Sequence, residues 1–159
     1  MTMLIDPERV RDGGELFLAH ADIDGLHGQF VDLVNRLDGA SAQTFAEDFA
    51  RLIEHVREHF AEEERLMVTH GFPAISEHCD EHGRVLGELR QMETRVRAGR
   101  PMMARNYVRE NLPGWFELHT RTMDSALAAH LEGRSRSGAP AANTPAPHRP
   151  EDGPPTTTL

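Results

Sequence analysis

Lysine is absent from the 159-residue chain: all 17 basic residues are arginine, set against 26 acidic ones for a net charge of −9. The arginines are scattered with no basic block, which argues against an electrostatic grip on nucleic acid. Cys79 is the one cysteine, and a lone thiol excludes an intrachain disulfide and a cysteine-rich metal cage. Long apolar runs are also missing. Mean hydropathy is −0.53 and no stretch approaches the roughly 20 apolar residues of a membrane-spanning helix. The opening MTMLIDPERVRD has neither a cationic leader nor an apolar core, so no secretory signal and a cytoplasmic location are expected. Aromatics are sparse, with one Trp and one Tyr. Histidine is not: there are 10, nine of them between His20 and His130.

The length fits one domain. Six of the ten prolines fall between Gly138 and Leu159, where no apolar periodicity survives, and such a composition cannot bury enough surface to offset chain entropy. The chain therefore divides into an N-terminal arm (1–19), a folded domain (20–132) and a disordered Pro/Ala/Thr-rich tail (133–159). The domain lacks alternating strand patterns and reads as helix throughout.

Four stripes repeat at three- and four-residue spacing, the signature of one buried helix face. The first is Ile23, His27, Phe30, Val34, Leu37, ending at Asp38-Gly39. The second opens near Ser41–Thr44, where Thr44 and Glu47 have capping-box spacing, and runs Phe49, Leu52, Val56, His59, Glu63, Leu66 to His70-Gly71. The third starts at Pro73 and runs Ile75, His78, His82, Val85, Leu89, Met92, Val96, closed by Gly99 and Pro101. The fourth is interrupted, with a short piece over Met102–Leu112, a kink or restart at Pro113, and a stripe Trp115, His119, Met123, Ala126. Short connections between the first three predict antiparallel neighbours. The expected fold is all-α, an up-down-up-down antiparallel four-helix bundle.

His27, His59, Glu63, His78, His82 and His119 occupy stripe positions on all four helices, and burying such groups costs several kcal/mol each unless they are paired or metal-bound. Residues at i and i+4 are separated by roughly 6 Å along a helix, so His59/Glu63 and His78/His82 can each address one centre. Asp124 sits ~140° from His119 on an ideal helix and can reach the same centre from the flank, with or without a local π-type widening. Imidazole suits Fe, Zn, Cu and Ni, while carboxylates readily bridge two ions. Five imidazoles on one ion, with two carboxylates left over, make an implausible shell. Split between two ions with both carboxylates bridging, the set leaves one position open for an outside ligand. His55 is read as lying outside the set, solvated or packed behind it. His20, His70 and His130 fall at element ends, Cys79 and Met67, Met92 and Met123 read as core filler, and Glu62 and Glu64 as a solvated face.

IDGLH (Ile23–His27), HFAEEERLM (His59–Met67), the FP at Phe72-Pro73 with HCDEH (His78–His82), and WFELHTRTMD (Trp115–Asp124) together resemble the hemerythrins, in particular the bacterial single-domain ones, over about residues 20–131. That resemblance implies a non-haem pair of Fe ions with an oxo or hydroxo bridge. One iron would be held by His78, His82 and His119, the other by His27 and His59, with Glu63 and Asp124 across both. It also implies reversible O2 binding at the His27/His59 iron, for carriage, storage or sensing, in an apolar pocket of Phe30, Trp115, Phe116 and Thr120. An alternative is a di-iron enzyme acting on peroxide or nitric oxide, or an iron donor or store. Two positions depart from the family pattern. Position 120 is usually a bulky aliphatic and is Thr here, and the arm has Asp12 where a Trp is common.

Overall fold

The computed structural model describes residues 3–138, and among them every regular element is helical. Helix α1 spans Ala21–Asp38, α2 Ala42–His70, α3 Ile75–Arg97, α4 Met102–Glu110, α5 Leu112–His119 and α6 Ser125–Ser137. A π-helical segment, Thr120–Asp124, joins α5 to α6. No described helix is long and apolar enough to cross a membrane.

The helix ends follow local chemistry. The His20 side chain accepts the Ile23 N–H to start α1, and Ser41 accepts the Thr44 N–H to start α2. The cap of α2 is thus Ser41, three residues earlier than the Thr44/Glu47 spacing suggests; its hydroxyl comes first to the exposed amides. Gly71 closes α2 with φ +61°, a left-handed conformation that suits glycine. Helix α3 begins at Ile75, two residues after Pro73, and its capping position, Ala74, makes no side-chain bond. The break at Asn111 separates α4 from α5 with Pro113 in the first turn of α5. At the other end α6 runs on to Ser137, with Arg136 paired to Glu132 and Gly138 at φ +60°. Residues 133–137, assigned to the tail by composition, are therefore helical; the rest of the expected tail, 139–159, lies outside the described residues.

The first three stripes are buried nearly as expected, with Ile75 alone half-buried. The fourth is not. Met123 is half-buried and Ala126 exposed, while Thr120, Asp124, Leu127 and Leu131 are buried. The π segment inserts residues at a longer period, so the inward face shifts by about one position, or roughly 100°.

Apolar packing forms two clusters. The larger gathers Phe30, Val34, Phe49, Phe60, Val85 and Phe116 with most of the core. The smaller holds Ile23, Leu66, Met67, Phe72, Leu127 and Leu131. Along every long helix the residues between these clusters are the polar stripe positions, so the core is interrupted by one polar layer. The N-terminal arm closes over the larger cluster through Ile5, Val10 and Leu16. It is tied to α1 by a two-way bond, Ile5 N–H to Asn35 Oδ1 at 3.0 Å and Asn35 Nδ2 to Ile5 O at 2.7 Å. Glycine is required at 14, where a Cβ would lie 2.3 Å from the Glu8 carbonyl oxygen.

Candidate metal centre

Seven side chains fill the polar layer: His27 from α1, His59 and Glu63 from α2, His78 and His82 from α3, His119 from the end of α5, and Asp124 from the π segment. None is more than 4% exposed. Helical spacing explains most of this, because i and i+4 partners stack on one face. Asp124 needs the π turn. Five residues beyond His119, its Oδ1 lies 3.0 Å from the His119 Nε2, a contact that the wider turn makes possible.

The carboxylates divide their oxygens between two groups of imidazoles. Glu63 Oε1 lies 2.8 Å from His59 Nε2 and 3.8 Å from His27 Nε2. Its other oxygen, Oε2, lies 3.2 Å from His82 and 3.5 Å from His78. Asp124 repeats the division, with Oδ2 2.9 Å from His27, and Oδ1 3.1 Å from His78 and 3.0 Å from His119. Two overlapping donor groups result. Glu63, His78, His82, His119 and Asp124 bring one donor atom each within 4.8 Å of one another, and so do His27, His59 and Glu63.

Burial alone would raise both carboxylates, yet the surrounding imidazoles hold Glu63 and Asp124 well below the usual carboxylate range. Burial likewise pulls His27 and His78 down, but the adjacent Asp124 and Glu63 carboxylates outweigh it and lift both to about 9. His82 goes down, because burial and the neighbouring His78 and His119 outweigh Glu63. Both carboxylates stay anionic, and in the metal-free layer protonated His27 and His78 take the place of cations beside them. Glu63 Oε2, Asp124 Oδ1 and His78 Nε2 face this space with no hydrogen-bond partner, a costly state for buried polar atoms. Nitrogen and oxygen donors that converge without satisfying one another suit a divalent first-row metal, so the residues fit a metal.

The profile of the hemerythrin HHE cation binding domain matches residues 18–131. The chain belongs to the hemerythrin family. It is 34% identical over 119 residues to the bacteriohemerythrin of Ralstonia nicotianae (strain ATCC BAA-1114 / GMI1000), covering 75% of this chain and 86% of that one. It is 25% identical over 134 residues to the bacteriohemerythrin of Aquifex aeolicus (strain VF5), covering 81% and 98%. No solved structure gives a significant match.

Around this hemerythrin centre the imidazoles are held by aromatic rings. Phe60 lies flat on His82, centroids 3.8 Å apart at 1°. The Trp115 indole stacks on His119 at 4.7 Å and 22°, and its N–H donates to Glu81 Oε1 at 2.8 Å. Glu81 is fixed in turn by Arg84, whose Nε and Nη2 donate to it at 3.0 and 2.6 Å. That bonding holds Glu81 down at about 2, Arg84 contributing most. Phe116 meets His27 edge-on at 5.2 Å and stacks on Phe30 at 4.8 Å. Of the four residues assigned to the ligand pocket, Phe116 thus sits against His27 with Phe30 stacked on it, while Trp115 covers His119. Thr120 is fully buried, one turn after Phe116, and its Oγ1 has no partner.

Sequence reasoning passed over Phe60 and Glu81. Phe60 was within reach, since it follows a stripe histidine and widens the stripe toward α3. Glu81 carried no signal, because an acid between the two histidines of HCDEH looks like any solvated one. His55 packs its ring against His59 at 5.5 Å and sets Nε2 3.1 Å from the Leu26 carbonyl oxygen. It stands behind His59, tying α2 to the residue that precedes His27. Burial and the adjacent His59 push it down to about 4, so it is neutral at physiological pH.

Proposed function

We propose that this hemerythrin domain is a non-haem di-iron protein that binds O2 reversibly, built as an antiparallel up-down-up-down four-helix bundle. The observation that carries the reading is the division of each carboxylate, one oxygen toward His27/His59 and the other toward His78/His82/His119. Such a pair is suited to bridging two ions. His78, His82 and His119 would hold one iron and His27 and His59 the other, with Glu63 and Asp124 spanning both. Held there, two Fe(II) ions would supply the reversible one-electron chemistry that O2 binding needs.

The chain's own residues do the rest. Two imidazoles on one side and three on the other leave the His27/His59 position with fewer protein donors and hence room for a ligand. Phe116 and Phe30 wall that side with hydrocarbon and exclude water, which controls solvent access to a metal site. Phe60 and Trp115 fix the ring planes of His82 and His119. The test is anaerobic loading with Fe(II), addition of O2, then its removal. Charge-transfer absorption that appears with O2 and fades on its removal, over repeated cycles, supports the reading; irreversible oxidation on the first exposure contradicts it.

One observation favours a second reading, an enzyme acting on peroxide or nitric oxide. Thr120 puts an unpartnered, fully buried hydroxyl one turn from Phe116, and a free donor near the ligand position assists proton transfer. Replacing Thr120 with Ile is expected to slow autoxidation of the oxygenated protein several-fold, read from the decay of its visible band. Equal decay in the two proteins would remove Thr120 from both readings.

A further inference from the structure

We propose that the cleft between α3 and α4 binds a phosphorylated aromatic heterocycle of mononucleotide size. The cleft has a volume of about 1260 Å³ and lies among residues that the metal centre does not use. Its volume exceeds the several hundred Å³ of an ordinary small-molecule site.

The charge pattern points to an anion. Around the cleft, arginines are matched to carboxylates: Arg84 to Glu81 and Glu88, Arg97 to Glu93, Arg109 to Asp38. Arg95 and Arg100 line the cleft and, among the described residues, hold no carboxylate. Their proximity is built into the backbone. Gly99 adopts φ +75°, and the Arg100 N–H donates to the Arg95 carbonyl oxygen at 2.9 Å, folding the chain back at the end of α3. Two arginines that line one cleft and hold no carboxylate among the described residues offer guanidiniums suited to a phosphate. Glu88, the carboxylate in the lining, is already engaged, accepting from the Tyr107 hydroxyl and Arg84 Nη1 at 2.8 Å each.

The remaining lining suits a ring. Tyr107 has its hydroxyl committed to Glu88, leaving its ring as wall, and Met92 and Met103 add polarizable apolar surface, Met103 at 49% exposure. Gln91, Asn106 and Asn111 provide amide donors and acceptors at the rim, the groups that pair with a heterocycle edge. Phosphate clamp, apolar wall and amide rim together specify a phosphorylated heterocycle over a bare inorganic anion.

The inference does not rest on iron. Its test is titration calorimetry of the full chain at low salt with adenosine monophosphate and flavin mononucleotide, the two arms separating a purine from an isoalloxazine ring. At least one is expected to saturate a single site with half-saturation below about 1 mM, while adenosine and riboflavin do not saturate in that range. The double variant Arg95→Gln/Arg100→Gln should weaken binding at least about tenfold, with thermal stability unchanged because both side chains are exposed. Arg90→Gln, an exposed arginine outside the cleft, should bind as the parent does. The proposal is overturned if neither nucleotide saturates, if the double variant binds like the parent, or if inorganic phosphate binds as tightly as the nucleotides.

Discussion

Glu63→Gln is expected to strip metal from both halves of the centre at once. The substitution keeps the volume and removes one negative charge from a site where the carboxylate lies within 3.8 Å of four imidazoles on three helices. A neutral amide cannot bridge two cations, and its NH2 turns a donor toward imidazole nitrogens that the metal needs. Iron content should fall from two per chain to well below one, with affinity reduced by roughly 100-fold or more. His119→Ala is the contrasting case, because that imidazole meets Asp124 and lies in the three-histidine group only; it should empty one position before the other. Glu62→Gln, an exposed residue paired with Arg65, should leave iron unchanged. Iron counted per chain after desalting decides all three, and full retention by the Glu63 variant would break the bridging account.

The second large effect is on the metal-free protein, whose stability should fall as pH rises from about 6 to 9. His27 and His78 are lifted to about 9 in the fold, against about 6.5 in an unfolded chain. Below 6.5 both states are protonated and the stabilisation by Glu63 and Asp124 is fully present. Between 6.5 and 9 the unfolded chain has lost its protons while the fold retains them, so the advantage drains away as the folded groups titrate. Glu63 and Asp124 act in the opposite sense: held below their usual range, they stabilise above it and lose that contribution as pH falls. The metal-free protein should therefore be most stable near pH 6 and lose on the order of 5–10 °C of Tm by pH 9. Metal already occupies those nitrogens in the loaded protein, so its Tm should stay flat over the same range. A metal-free Tm that rises from pH 6 to 9 would show that the carboxylates do not hold those protons.

Much of this was legible in the chain itself. The pairs His59/Glu63 and His78/His82 and the stripe positions of His27 and His119 follow from helical period alone, because burial and ligation place the same demand on spacing. Glycines at 39, 71 and 99 marked the ends of three helices. What escaped lay where the period changes or where partners are distant. The π segment moved the fourth face from Met123 and Ala126 to Asp124 and Leu127, and no composition rule marks such an insertion. Its one trace was the offset of Asp124 from His119, which a widened turn or a flank approach could each accommodate. Ser41 rather than Thr44 caps α2 because several hydroxyls competed for the same amides. The extra turn of α6 through Ser137 depends on an Arg136–Glu132 pair and a left-handed Gly138, features that glycine and serine content obscured. The Trp115–Glu81–Arg84 chain joins α5 to α3 across 34 residues, and no local pattern carries that information.

The central claim is that Glu63 and Asp124 bridge two metal positions. Anaerobic Fe(II) loading, air oxidation and desalting, followed by iron analysis with electron paramagnetic resonance on the same sample, tests it most directly. The account expects two irons per chain and no isolated ferric signal, because irons sharing two carboxylates couple. One iron per chain, or two with a full-intensity mononuclear ferric signal, would contradict it.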